Sequence, residues 1–385
     1  MKKTIRFATL ASLTCFVSAN LTWADGGSQH RVRQARPISL GTSGGSINDI
    51  DGFYCCGGTL GSLVRNSGGT RYILSNNHVL GRTNRAASGE DTVQPGLIEV
   101  GCAQFTGDVV ADFTQYITLQ WGNNTNNLVD AAIAQERAGL VTSSILDVGG
   151  LSSSTLSATV GLGVKKSGRT TGLTTGSVSA VNVTVLVGYP RRCGSFSTRT
   201  ARFIDQFSVT SGSSFSAGGD SGSLIVENVG SNPRAVGLLF AGSSSSTIGN
   251  RIQNVLSAAW STGTLSMVGG GALTDTPETG VDGENLDDGG DIDPLRADAG
   301  AGKGGFRPLQ ADLIAEAAAV KAQHENELFR ISSEVVGTGV SLDEQGGAII
   351  EVYLAKSPRD VLGALPGELD GIPVRIIETG RFEAY

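Results

Sequence analysis

The run Ser216-Ala-Gly-Gly-Asp-Ser-Gly-Ser223 decides how this chain is read. Within it, Gly219-Asp-Ser-Gly222 makes a turn whose glycines let the backbone fold tightly around Ser221. Such a turn can aim the amide hydrogens of Gly219 and Ser221 at one point, which is the geometry of an oxyanion hole. A serine hydroxyl is a weak nucleophile, so it needs a base within hydrogen-bond reach. The chain has three histidines. His30 falls in a polar N-terminal arm and His324 on an exposed helix near the C-terminus, whereas His78 closes the strand-like run Ile73-Leu-Ser-Asn-Asn-His-Val-Leu80. His78 is therefore the expected base.

An imidazole base in turn needs an acid to fix its tautomer and stabilise the imidazolium. Asp130 is the lone charge in Leu128-Val-Asp-Ala-Ala-Ile-Ala134, and burying it unpaired would cost several kcal/mol. Pairing with His78 would remove that cost. Asp147, in Ile145-Leu-Asp-Val-Gly149, is the second candidate. The chain order His, Asp, Ser differs from that of subtilisin and the α/β-hydrolases, and Ser221 lacks the G-x-S-x-G elbow of the latter.

Around these residues the pattern is one of short strands. Valine, threonine, serine, leucine and glycine dominate the middle of the chain, and runs at 57–64, 72–74, 109–111, 117–119, 128–134, 177–187, 203–209, 223–226 and 235–240 are separated by turn residues. That predicts an all-β barrel or sandwich, closed by a short helix at 252–260. The hydrophobic fraction of 39% suffices for a sizeable core. A formal charge of −7 without any Lys/Arg-rich stripe argues against nucleic acid as a partner.

Residues 1–24 read as a secretory signal: Lys2, Lys3 and Arg6 precede a short apolar run, then Val17-Ser-Ala19 and Thr22-Trp-Ala24 offer cleavage sites. The run is too short to span a bilayer, and no later segment reaches about 18 apolar residues, so no membrane span is expected. A secreted or periplasmic location follows. Cys55, Cys56, Cys102 and Cys193 then imply two disulfides, with adjacent Cys55 and Cys56 unsuited to each other; three connectivities remain before that constraint. No histidine lies at ligand spacing from these cysteines, so neither a zinc site nor any other metal or cofactor is expected.

The expected organisation is an N-terminal arm at 25–45, a β domain at 46–265, an acidic Gly-rich linker at 266–307 and a small C-terminal α+β module at 308–385. The linker's Asp and Glu residues lack the offset of a helix-flanked calcium loop. In the module, a helix at 309–329 precedes strands at 334–340 and 348–354, a short helix near 360–365 and a strand at 374–377. The module is expected either to dock or autoregulate through the acidic linker, with the tail Thr379-Gly-Arg-Phe-Glu-Ala-Tyr385 able to reach the cleft, or to serve as a passive stabilising domain.

Cys56-Gly-Gly-Thr-Leu60, Asn77-His-Val79 and Gly219-Asp-Ser-Gly222 resemble the trypsin-like serine peptidases. More narrowly, 74–80, 166–176, 216–224 and 236–242 resemble a bacterial branch related to the plant narrow-leaf trypsin-like proteins. The resemblance covers about residues 50–265. It implies a chymotrypsin-type pair of six-stranded antiparallel barrels, with His78 and Asp130 from the first and Ser221 from the second, acting on polypeptide. Parts of the C-terminal module, 335–340 and 365–382, also resemble a small module of that branch. Several features depart from the pattern. No cysteine follows His78, which leaves Cys56 to pair with Cys102. No Ile-Val-Gly-Gly terminus is present to partner Asp220, so activation by zymogen cleavage is not expected. Phe215 stands where tryptic members carry an acid, and no pocket histidine exists for glutamate. With Phe240, Ala241 and Gly242 as further walls, the implied preference is for small or apolar side chains. The reading is thus a serine endopeptidase. Alternatives are a protease-fold protein that binds extended peptides with little turnover, or an esterase with the same triad.

Overall fold

The computed structural model describes residues 28–269 and 308–385. The expected signal segment lies outside the described residues, as does nearly all of the acidic linker. Six antiparallel strand positions close a first barrel. Thr42–Ser46 pairs with Gly58–Leu60, which continues past Gly61 into Ser62–Arg65. That bent strand pairs with Arg71–Ser75, and the ladder runs through Ala132–Glu136, Val109–Tyr116 and Asp91–Val93 back to Thr42–Ser46. Leu60, Leu63, Ile73, Leu74, Val110 and Ile133 belong to the buried core cluster in and around it.

A second barrel closes through Gly163–Gly168, Gly172–Pro190, Thr198–Thr210, Thr247–Arg251, Ala235–Gly242 and Leu224–Glu227. Every pair in it is antiparallel. Closure leaves neither barrel a free edge. The fold is therefore all-β, a double six-stranded barrel of the chymotrypsin type, with a small helix-and-strand module appended.

Several local expectations shift. From residue 28 onward the arm expected at 25–45 is built into the structure: Ile38–Leu40 pairs with Val141–Ile145, and Thr42–Ser46 is a barrel strand. The run at 128–134 becomes strand only from Ala132, because Asp130 sends its amide to Asn250 Oδ1 and its carbonyl to Asn76 Nδ2 instead of a ladder. The run at 117–119 is not a strand. The helix expected at 252–260 is short, Ile252–Leu256. Strand Gly172–Pro190 is longer than its apolar core because its second half leaves the barrel and pairs with other segments.

The C-terminal residues attach to that protruding half. Helix Pro308–Ile331 packs on strands Val335–Leu342 and Ala348–Leu354, and Ile372–Glu378 adds in parallel to the latter. Val335–Leu342 continues the second barrel's sheet, with Val181 opposite Val340 and Thr184 opposite Thr338. A buried ion pair fastens the helix there: Lys321 Nζ lies 2.5 Å from Glu325 Oε1, which also accepts Thr338 Oγ1 at 2.8 Å, while Oε2 accepts the Arg202 guanidinium. Burial pushes the Lys321 amine down, and the Glu325 carboxylate opposes this.

The disulfides are Cys55–Cys102 and Cys56–Cys193, with Cα–Cα distances of 5.5 and 5.7 Å. The expected Cys56–Cys102 link is not formed. Adjacent residues of an extended chain point opposite ways, so Cys55 serves the first barrel's own loop while Cys56 reaches the second barrel's hairpin. Cys56–Cys193 closes a separation of 137 residues and ties the barrels together. The double variant Cys56→Ser/Cys193→Ser is expected to lose about 2–4 kcal/mol, read as a lower denaturant midpoint. An unchanged midpoint would show that this link does not hold the barrels.

Candidate active site

His78 sits one residue beyond the position where its strand stops being extended. Strand Arg71–Ser75 ends, Asn76 stays extended, and Asn77–Leu80 makes one helical turn. The two asparagines before the histidine hold this turn. Asn76 Nδ2 donates to Asp130 O at 2.7 Å, and Asn77 Nδ2 donates to Ile117 O at 2.8 Å and Asn84 Oδ1 at 2.6 Å.

Asp130 is fully buried and amply satisfied. Its Oδ2 lies 2.6 Å from His78 Nδ1 and accepts the Tyr189 hydroxyl at 2.7 Å, while Oδ1 accepts the His78 amide at 3.2 Å. Tyr189 belongs to strand Gly172–Pro190 of the second barrel, so one carboxylate bridges both barrels. Burial drives the Tyr189 hydroxyl well above the usual phenol range and the adjacent carboxylate adds to this, so it acts as a donor. Burial alone would depress His78. The Asp130 charge, its hydrogen bond and a contact from the Tyr385 carbonyl outweigh it and raise the imidazole above the ordinary value.

The other two histidines are engaged elsewhere. His30 is buried, not loose: Nδ1 lies 2.7 Å from Gly41 O and Nε2 lies 3.0 Å from Asp147 Oδ2. The second candidate acid thus pairs with a different histidine. His324 meets Asp370 at 3.0 Å.

The loop around Ser221 is pinned to the first barrel. Thr59 donates its amide to Ser221 O at 2.8 Å and its hydroxyl to Gly219 O at 2.9 Å. Gly222 has φ of 92°, and a Cβ there would sit 2.2 Å from Thr59 O. Glycine is the residue that fits. The amides of Gly219 and Ser221 donate to no acceptor among the described residues. Ser221 Oγ donates to Phe240 O at 3.2 Å rather than to His78. His78 Nε2 is instead 3.0 Å from Tyr385 O, and the Tyr385 amide shares Phe240 O at 3.4 Å.

Asp220, also fully buried, supports this loop from behind. It accepts Thr170 N at 2.7 Å, Thr171 Oγ1 at 2.7 Å and Ala217 N at 3.0 Å, and Lys166 Nζ lies 3.6 Å away. Burial lowers Lys166 to about 8 although Asp220 pulls the other way. An internal lysine thus stands where no new α-amino group was expected. Its sequence signal was present, a lysine inside the motif at 166–176, but not its partner. Tyr189 carried no local signal.

Of the expected pocket residues, Phe215 is buried among Val178, Val209 and Val236, with Tyr385 packed against this cluster. Phe240 contributes its carbonyl alone, because its ring stacks into the opposite core with a centroid 4.6 Å from that of Phe203. Ala241 and Gly242 present a strand edge to residues 383–384.

No protein-family model matches the chain, and no curated protein matches it. Among solved structures, it is similar to a glutamic-acid-specific serine protease that uses a histidine triad in substrate binding: 23% identity, TM-score 0.39, covering 60% of this chain and 100% of that one. Thermobifida fusca protease A gives 18% identity, TM-score 0.40, and 60% and 99% coverage. Cellulomonas bogoriensis chymotrypsin gives 18%, 0.38, and 60% and 99%.

Replacing Lys166 by Met leaves Asp220 buried without its cation. The expected cost is about 3–5 kcal/mol, measured by chemical denaturation. Lys166→Met/Asp220→Asn should recover part of it, whereas equal losses in both variants would show that the charge pair is not the cause.

Proposed function

We propose that the chain is a serine endopeptidase with Ser221 as nucleophile, His78 as general base and acid, and Asp130 as the group that orients His78. The observation that carries this reading is the fully buried Asp130 carboxylate, held 2.6 Å from His78 Nδ1 on the Ser221 side of the two barrels. His78 Nε2 takes the Ser221 proton as Oγ bonds to the peptide carbonyl carbon. The amides of Gly219 and Ser221, which have no acceptor among the described residues, receive the developing oxyanion. Collapse breaks the C–N bond, and the proton passes from His78 to the leaving amine. Water, deprotonated by His78, then releases the acid and restores Ser221.

The narrower sequence resemblance is supported by what its four motifs do here. Residues 74–80 carry the base, 166–176 cage Asp220, 216–224 carry the nucleophile and 236–242 supply the strand edge. Two disulfides suit an oxidising compartment, in line with the secreted or periplasmic reading. A peptide-binding protein with little turnover is the second reading, favoured by the Ser221 hydroxyl turning to Phe240 O. Covalent labelling by a fluorophosphonate separates the two, since it requires an activated serine.

Ser221→Ala is expected to lower peptidase kcat by at least about 10⁴-fold, and Asp130→Asn by about 10³–10⁴-fold. Full activity in Ser221→Ala sinks the proposal. The neutral imidazole is the active base, and His78 is held above the ordinary histidine value of 6.5. Activity should therefore rise with pH as His78 loses its proton, and Asp130→Asn, which removes the charge that raises His78, should move the midpoint down; an unmoved midpoint would contradict the assigned environment.

A further inference from the structure

Residues 382–385 do more than finish the module. Strand Phe382–Ala384 runs antiparallel to Ala235–Gly242, with Ala384 opposite Ala241 and Glu383 opposite Gly242. The next residue, Tyr385, extends this register to Phe240: its amide donates to Phe240 O, the carbonyl that also accepts Ser221 Oγ. The Tyr385 carbonyl oxygen lies 3.0 Å from His78 Nε2. An extended peptide captured by strand addition is held in this way, by main-chain bonds with alternate side chains in pockets.

The Tyr385 side chain fills such a pocket. Its ring lies over Gly242, where a Cβ would come within 2.4 Å of Cζ, and packs against the Phe215 cluster. Its hydroxyl donates to Ser243 O at 3.0 Å. That carbonyl accepts a phenol but repels a carboxylate. The ring and its hydroxyl meet Gly242, Ser243 and Ser216, and the one acid of the pocket that acts on the hydroxyl, Asp220, is already taken by Lys166 and its hydrogen-bond donors, so it is not free to pair with a basic side chain. Of the small or apolar side chains expected from sequence, the segment seated here places an aromatic ring in the pocket.

We propose that residues 382–385 are an intramolecular pseudosubstrate, with Tyr385 in the place of the residue whose carbonyl Ser221 attacks. The enzyme accordingly cleaves after tyrosine and phenylalanine, and the seated segment holds it inhibited. This rests on the peptidase reading. Inhibition follows from the bonds. With Nδ1 facing a carboxylate and Nε2 facing the Tyr385 main-chain oxygen, both acceptors, both ring nitrogens of His78 must donate, so no lone pair remains to take the Ser221 proton. Phe382, almost fully buried beside Tyr353, anchors the segment, and Ser244 Oγ donates to Thr379 O at 3.0 Å. Tethering at a high effective concentration lets even a weak ligand occupy the site.

The test compares the full chain with full-length Tyr385→Ala, which empties the pocket but leaves the Phe382 anchor. The variant should react with a fluorophosphonate at least about tenfold faster. On otherwise identical peptides it should favour tyrosine or phenylalanine before the scissile bond over glutamate, lysine and alanine by about tenfold or more. Added Phe-Glu-Ala-Tyr peptide should slow its labelling competitively. Equal labelling rates in the two proteins overturn the inhibition, and a preference for glutamate, lysine or alanine overturns the pocket assignment. If neither protein labels, the peptidase reading itself fails.

Discussion

A single buried carboxylate constrains the arrangement around the cleft. Asp130 has no exposed surface, so each lone pair must find a donor inside the protein or the fold bears the cost of an unsolvated charge. Its donors come from both barrels: the His78 ring and amide from the first, the Tyr189 hydroxyl from the second. Its backbone continues the link, through Asn250 to Gln206 and through Asn76 to the histidine turn. Moving one barrel against the other would strip donors from this charge. The cleft geometry is therefore coupled to the satisfaction of one side chain.

Asp220 repeats the logic on the other side of the cleft. It too is fully buried, and a lysine with two threonines and a backbone amide satisfies it. Lys166 comes from a neighbouring strand of the same barrel, so the cation beside Asp220 is internal to the fold that carries the Ser221 loop. Thr59 then couples that loop to the first barrel by two hydrogen bonds.

The C-terminal residues depend on a third feature, the overlong strand Gly172–Pro190. Its outer half gives Val335–Leu342 an edge to join, and a second register beyond it accepts Phe382–Ala384 in parallel. That parallel pairing aims residues 382–385 along Ala235–Gly242 and into the site. The Lys321–Glu325 pair and Arg202 hold the helix on the same sheet, so module and cleft share one scaffold.

Much of this was legible in the chain itself, because local chemistry writes local patterns. Glycines around Ser221, an asparagine-flanked histidine, a lone aspartate in an apolar run and period-two strands are signals within a few residues of the group they concern. They located Ser221, His78 and Asp130 as candidates, the all-β class and the helix-and-strand order of the module. What the sequence could not determine are relations through space. Tyr189, Lys166 and the Cys56–Cys193 link meet partners 59, 54 and 137 positions away, and His30 and Asp147 satisfy each other across 117. No local pattern specifies such a partner, because closing two barrels is what brings the groups together. The tail Thr379–Tyr385 was legible as a segment able to reach the cleft, but which of its residues arrives there was decided the same way, by the register of one strand that carries Tyr385 to His78.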